Sequence, residues 1–347
     1  MRRIILNLKG KQTQLKKIII FFISSFLFSI SCFASEEWKY HASTKNYEIY
    51  TNISRQFLST ASKIAEQAYE KAVERLDAKN NDKEFIKTIE RNIEKMNKKL
   101  IYEWEDGTRQ YELNNGIILN HWRHSDNQYQ IVLPDGRKFS FWEKGMYGRK
   151  VNIYLCKDKE ELKRNIEKSV EGTGRGGWYL VEGKISYEMV YKEEYKNLDN
   201  LVHEISHQIT DYILYDPPVW LNEGLAMYAG INPDGQYEEG IIRPDHLNEC
   251  INALNSDSLV EVSSLIKMDY DKFHNTKNES LHYSESWALV HMLLNSKHSS
   301  VKGKFILYLT DLRKGIDLET AFSKHYDIKM LEKGFPKYVE WLKSKNK

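Results

Sequence analysis

The stretch Leu201-Val202-His203-Glu204-Ile205-Ser206-His207-Gln208 carries the clearest chemical pattern in this chain of 347 residues. Two residues four positions apart lie on one face of an α-helix, so His203 and His207 can direct two imidazole nitrogens at one metal ion. Glu204 lies beside them, where its carboxylate can reach a metal-bound water without binding the metal. The pattern predicts a helix that starts near Asn197 and carries a metal site.

A third metal ligand is expected in the segment Val219-Trp220-Leu221-Asn222-Glu223-Gly224-Leu225-Ala226-Met227-Tyr228. This segment predicts a second helix, and Asp216-Pro217-Pro218 predicts the turn before it. A helix, a tight turn and a returning helix can bring Glu223 alongside the two histidines. Two histidines and one glutamate leave a fourth position for water, as a catalytic zinc site requires. We therefore expect His203, His207 and Glu223 to bind Zn²⁺, with Glu204 as the general base.

These two motifs resemble those of the gluzincin metallopeptidases, especially the peptidase MA-like group of exported bacterial proteins. The segment 282–294, His-Tyr-Ser-Glu-Ser-Trp-Ala-Leu-Val-His-Met-Leu-Leu, is similar to a later helix of that group. The resemblance covers about residues 150–345, extends to residues 40–77 and is absent from residues 101–148. It implies a zinc-dependent peptidase with a gluzincin fold and a peptide or protein as its substrate.

The resemblance also implies a group that donates a hydrogen bond to the oxyanion formed during amide hydrolysis. Tyr283 is the candidate for this catalytic role, and His282 is its competitor. The chain departs from thermolysin-like enzymes four residues after Glu223, where Met227 replaces an aspartate that would support a histidine. Asp199 and Asn222 are two possible supports for the histidines, and the sequence does not decide between them.

The rest of the pattern predicts an α+β protein. A strand is expected at 46–51, a helix with Ser54 as its cap and an apolar period over 57–76, and a second helix over 85–100. Between 101 and 148, short aromatic and β-branched runs are separated by Asp-Gly and Asn-Gly dipeptides, which predicts a small antiparallel meander. Strands are expected at 150–156, 178–181 and 184–191, with a charged helix over 159–169 and a glycine-rich loop at 171–177. One of the last two strands could border the cleft and pair with an extended peptide.

Four regions follow from this organisation: a signal peptide over 1–34, an N-terminal strand and helical hairpin over 35–100, the meander insertion over 101–148, and a mainly helical gluzincin-like catalytic region over 149–347. The first region has a basic start, an apolar run over 18–30 and a stretch rich in small residues over 31–35, and cleavage is expected after Ala34. We expect an exported protein, periplasmic or secreted, with no stable membrane span after cleavage. An uncleaved N-terminal anchor is the alternative, and a lipoprotein signal through Cys32 is a weaker one.

The charge balance changes when the leader is removed. Residues 1–34 contain six basic residues and no acidic residue, which leaves 45 basic and 49 acidic residues in the remainder. This mildly acidic chain argues against nucleic acid as a partner. Cys156 and Cys250 remain and could form one disulfide in an oxidising compartment. The oligomeric state leaves no signature in the sequence.

The residues favour an exported zinc peptidase over two other functions. One is a noncatalytic binding or scaffold protein on a gluzincin fold, with the meander as its interaction surface. The other is a zinc amidase that acts on cell-wall material through the same groups. The presence of all four residues of the expected zinc site disfavours the noncatalytic alternative.

Overall fold

The computed structural model describes residues 38–76, 99–104, 107–112, 118–122, 128–132, 138–142, 150–158, 160–161, 177–182, 185–191, 196–214, 217–274, 277–298, 300–301, 303–313 and 316–345. The predicted signal peptide, most of the second predicted helix, and nearly all of the helix and glycine-rich loop predicted over 159–177 lie outside these residues.

The described residues form the following strands and helices. The strands are β1 (Tyr40–Ser43), β2 (Tyr47–Thr51), β3 (Lys99–Glu103), β4 (Arg109–Glu112), β5 (Ile118–Trp122), β6 (Gln128–Val132), β7 (Lys138–Trp142), β8 (Val151–Cys156), β9 (Gly177–Glu182), β10 (Ile185–Tyr191), β11 (Ala229–Ile231) and β12 (Tyr237–Glu239). The helices are α1 (Arg55–Arg75), α2 (Lys196–Leu214), α3 (Val219–Tyr228), α4 (Pro244–Asn255), α5 (Val262–Leu265), α6 (Tyr270–His274), α7 (Glu279–Asn295), α8 (Phe305–Arg313), α9 (Leu318–His325) and α10 (Ile328–Lys345).

The main sheet has five strands in the order β1-β2-β8-β10-β9. Strand β8 pairs in parallel with β2 and with β10, whereas β1 and β9 are antiparallel edge strands. Residues alternate between the two faces of a strand, and Tyr47, Ile49 and Ile153 are all completely buried. Helices α1 and α2 pack against this sheet. The sheet therefore supports the helix that carries the two histidines.

Strands β3 to β7 form a second, antiparallel sheet in chain order. This arrangement confirms the predicted meander. The apolar period predicted that Leu100 lies at the end of a helix. This prediction is wrong, because strand β3 begins at Lys99 and contains Leu100. The last strand, β7, contacts helix α2. The insertion thus lies against the helix of the candidate metal site.

Helix α1 and the helices from α2 onward supply most of the core. Ser54 caps α1, since its side chain accepts a hydrogen bond from the backbone N–H of Phe57 at 3.1 Å, as the sequence predicted. Trp220 of α3 and Trp287 of α7 are completely buried. The strands and the mainly helical C-terminal half confirm the α+β prediction at this level.

Two further observations concern the cysteines and the length and apolarity of the helices. Cys156 and Cys250 are both buried and outside any disulfide, so the disulfide considered for them does not form. Within the described ranges, no helix is both long enough and apolar enough to cross a bilayer.

Candidate metal centre

Helix α2 places the two predicted histidines on one face. Its opposite face buries Leu201, Ile205 and Ile209 completely, which fixes the rotation of the helix. The Nε2 atoms of His203 and His207 are 3.0 Å apart, and the two rings are nearly perpendicular. The predicted pair therefore directs both nitrogens at one point.

Helix α3 brings the third predicted ligand to the same point. It begins at Val219, directly after Pro218, and buries the Glu223 side chain. Oε2 of Glu223 lies 3.5 Å from Nε2 of His203 and 3.4 Å from Nε2 of His207. One ligand atom from each of the three residues lies within 4.8 Å of the others.

The three residues fit a metal ion. Oε2 of Glu223 is buried, and among the described residues no group forms a hydrogen bond with it. Such an atom is costly to bury unless something compensates it. Two imidazole nitrogens and one carboxylate oxygen are a donor set that suits zinc, with a fourth position left for water or substrate.

The charges at the centre are strongly coupled. Burial alone would lower the pKa of His207, but the negative charge of Glu223 beside it outweighs burial and raises that pKa well above its ordinary value. Burial would likewise raise the pKa of Glu223, yet His207 and His203 hold that pKa well below its ordinary value. Glu223 therefore remains ionised and attracts positive charge to this place, which also favours a metal cation.

Asn222 supports one of the two histidines. Its Oδ1 lies 2.9 Å from Nδ1 of His207 and accepts a hydrogen bond from it. In the neutral ring, a proton on Nδ1 leaves the lone pair on Nε2, which is the form that binds a metal. The other candidate, Asp199, accepts hydrogen bonds from Arg243 and from the backbone N–H of Ile231 instead. The structure therefore selects Asn222 for His207.

The position of Glu223 depends on the residue after it. A Cβ atom at Gly224 would lie 2.5 Å from the backbone oxygen of Ser286 and 2.6 Å from Cγ2 of Val290. Only glycine allows α3 and α7 to approach so closely. This contact fixes Glu223 relative to the helix that carries Tyr283.

Glu204 is buried on α2 next to His203. Its charge is one of the causes that raise the pKa of His207, which places the carboxylate in the electrostatic neighbourhood of the ligands. A carboxylate at this place can take a proton from a water molecule held by the site.

The structure separates the two residues considered for the oxyanion. His282 is buried, and its Nδ1 lies 2.9 Å from the backbone oxygen of Phe273. Tyr283 is half-buried, and its hydroxyl lies 3.5 Å from Nδ1 of His274. Nε2 of His274 in turn lies 3.9 Å from Oε1 of Glu223. The Tyr283 hydroxyl therefore contacts a residue that faces the metal centre, His274. His282 contacts the backbone near the end of α6 instead.

His274 is the residue near the centre that the sequence did not predict. It ends the short helix α6, and no spacing relates it to the motif at 203–207 or to Glu223. Only the tertiary packing of α6 against α3 brings it to the carboxylate. A histidine placed five residues before an acidic residue, Glu279, was the sole local signal, and this pattern is too common to identify a site.

The model of one family, described as the peptidase MA superfamily, matches residues 151–341. This range covers more than half of the chain and contains α2, α3 and α7. The chain belongs to the peptidase MA superfamily. No curated protein gives a significant match. Membership in the peptidase MA superfamily indicates a metallopeptidase-like function with a peptide or protein as the substrate, and the His203, His207 and Glu223 cluster could bind its metal.

Proposed function

We propose that this protein is an exported, zinc-dependent peptidase of the gluzincin type. His203, His207 and Glu223 hold the zinc ion, and Glu204 is the general base. The observation that carries this proposal is the convergence of three ligand atoms from α2 and α3 around a buried carboxylate oxygen without a hydrogen-bond partner in the described part of the chain.

A bound zinc ion supplies a Lewis acid that polarises the substrate carbonyl and makes a water molecule acidic near neutral pH. Glu204 takes the proton from the attacking water and then passes it to the nitrogen of the leaving amine. Asn222 holds His207 in the form that binds metal. Tyr283 is the proposed donor to the oxyanion, and its hydroxyl contact with His274 supports a position at the edge of the centre.

Strand β9 supports a mode of substrate binding. It is an edge strand of the main sheet and contacts α2. Its outer backbone edge can pair with an extended peptide by strand addition, which would lay the peptide along the helix of the metal ligands.

The decisive experiment compares three proteins: wild type, Glu204→Gln and Glu223→Gln. Metal analysis should find about one zinc per chain in wild type and in Glu204→Gln, and much less in Glu223→Gln. A peptide library should be cleaved by the wild type alone, and the cleavage positions separate an endopeptidase from an exopeptidase. A chelator should abolish the wild-type activity, and added zinc should restore it.

Four results would count against the proposal. If the wild type binds no zinc, the proposed zinc site and the proposed mechanism are both wrong. A wild type that binds zinc but hydrolyses neither peptides nor cell-wall amides is a binding protein, and one that hydrolyses only cell-wall amides is an amidase. Undiminished cleavage by Glu204→Gln excludes this residue as the base.

The proposal of export rests on the sequence of residues 1–34, with its six basic residues and apolar run. Mass spectrometry of the protein recovered outside the cytoplasm should show Ser35 as the first residue. Recovery of the full-length chain in the membrane fraction would favour the uncleaved anchor.

A further inference from the structure

His274 lies between two carboxylates, one of which is the proposed metal ligand. Its Nδ1 is 3.0 Å from Oε1 of Glu279, and its Nε2 is 3.9 Å from Oε1 of Glu223. An ionised carboxylate can only accept hydrogen bonds, so Nδ1 donates to Glu279. This hydrogen bond fixes the direction of the ring, so that Nε2 points towards Glu223.

The ring of His274 is held in place by its surroundings. Its side chain is only 4% exposed, whereas that of Glu279 is 40% exposed. The ring packs against Tyr270 with 4.1 Å between the ring centroids, and against Phe273 with 5.0 Å. A ring restrained on several sides can restrain the carboxylate that it faces.

The two oxygens of Glu223 face different groups. Oε2 faces the Nε2 atoms of His203 and His207, and Oε1 faces His274. A carboxylate that is held only through its ligating oxygen can rotate away from the metal, and a buried ring packed beside the other oxygen limits this rotation. Groups that orient metal ligands in this way commonly change metal affinity by about 10- to 100-fold.

We infer that His274, supported by Glu279, is a positioning residue that holds Glu223 in its metal-binding orientation. The inference rests on the proposed function, since it assumes that Glu223 is a zinc ligand. It assigns His274 a role through Glu223, distinct from the role in oxyanion binding proposed for Tyr283.

The test measures zinc affinity by competition with a chromogenic chelator at fixed pH. Against wild type, His274→Leu should weaken zinc binding by about 10- to 100-fold. His274→Gln keeps an amide N–H that can face Glu223 and should lose less. Glu279→Gln removes the supporting charge at a partly exposed position and should give an intermediate loss, so it tests the inference even if His274→Leu does not fold. Lys272→Gln, an exposed change on the same helix, is the matched control and should bind zinc as wild type does.

Two further measurements separate positioning from other roles. The thermal midpoint of the metal-free His274→Gln and Glu279→Gln variants should stay close to that of wild type, and kcat of Glu279→Gln at saturating zinc should stay within a few-fold. If the folded His274 and Glu279 variants bind zinc as tightly as wild type, the inference is wrong. A sharp fall in kcat at unchanged zinc affinity would point instead to a role in the reaction. That result leaves the proposed function intact, whereas a wild type without zinc overturns both.

Discussion

The stability of the fold should fall between pH 6 and pH 8 because of one carboxyl group, Glu285 on α7. Glu285 is completely buried, and its Oε1 accepts a hydrogen bond of 2.9 Å from the backbone N–H of Val260. Its Oε2 has no hydrogen-bond partner among the described residues. Burial, reinforced by the charges of Glu249 and Glu332, raises the pKa of Glu285 from 4.5 to about 8.

The sign of the effect follows from this upward shift. Below pH 4.5 the group is protonated in both the folded and the unfolded chain, and its contribution to stability is fully present. Above pH 4.5 the unfolded chain loses the proton first, so the free energy of unfolding decreases by about 1.4 kcal/mol per pH unit until the folded pKa is reached. Between pH 6 and pH 8 the loss is about 2 kcal/mol, because the decrease becomes shallower as the pH approaches the folded pKa of about 8.

Urea unfolding of wild type and Glu285→Gln at pH 6, 7 and 8 measures this loss directly. The amide is neutral throughout, so the wild type should lose about 2 kcal/mol relative to the variant over this range. Glu340→Gln, a change at an exposed position of α10, is the control and should follow the wild type. A difference between wild type and Glu285→Gln that does not change with pH would refute the reasoning.

Two further predictions concern the metal centre and its scaffold. Asn222→Ala removes the acceptor for Nδ1 of His207 and should weaken zinc binding by about 10-fold, measured by chelator competition, while Asn222→Asp keeps an acceptor and should lose less. An unchanged affinity in the alanine variant would show that this hydrogen bond does not matter. Gly224→Ala should lower the free energy of unfolding in urea by about 1–3 kcal/mol, because its Cβ would lie 2.5 Å from the backbone oxygen of Ser286. Gly334→Ala is the control, since its Cβ would meet only the flexible end of the Met292 side chain, at 3.4 Å. If both alanine variants have the same free energy of unfolding, the close packing at Gly224 does not limit stability.

The local part of the centre could be predicted from the sequence. His203 and His207 are related by the period of one helix, and Glu223 follows after a turn marked by prolines. These residues lie close together in the sequence, so their relation can be recognised without knowledge of the tertiary structure. The structure brings all three residues together.

The contacts that depend on distant packing could not be predicted. His274 comes 51 positions after Glu223 in the numbering and meets it only because α6 packs against α3. The sequence offers Asn222 and Asp199 as equivalent supports for the histidines. The structure distinguishes them, because Arg243, directly before α4, binds Asp199.

The main sheet shows the same limit. The strand predicted at 46–51 and the one at 150–156 both form, yet their parallel pairing across the inserted meander has no local signal. Strand β1 was not predicted, and Leu100 follows the apolar period of a helix although it lies in β3. In that segment, pairing with β4 prevails over the local periodicity.

The burial of two cysteines simplifies the metal experiments. Cys156 and Cys250 are completely buried, and burial, together with the charges of Glu285 and Glu249, raises the pKa of Cys250. A thiol that solvent cannot reach is a poor ligand for added metal, and the raised pKa of Cys250 further disfavours the thiolate that metals bind. Neither of these two cysteines should therefore compete for added zinc, and a titration of the chain without residues 1–34 should report on histidine and carboxylate ligands.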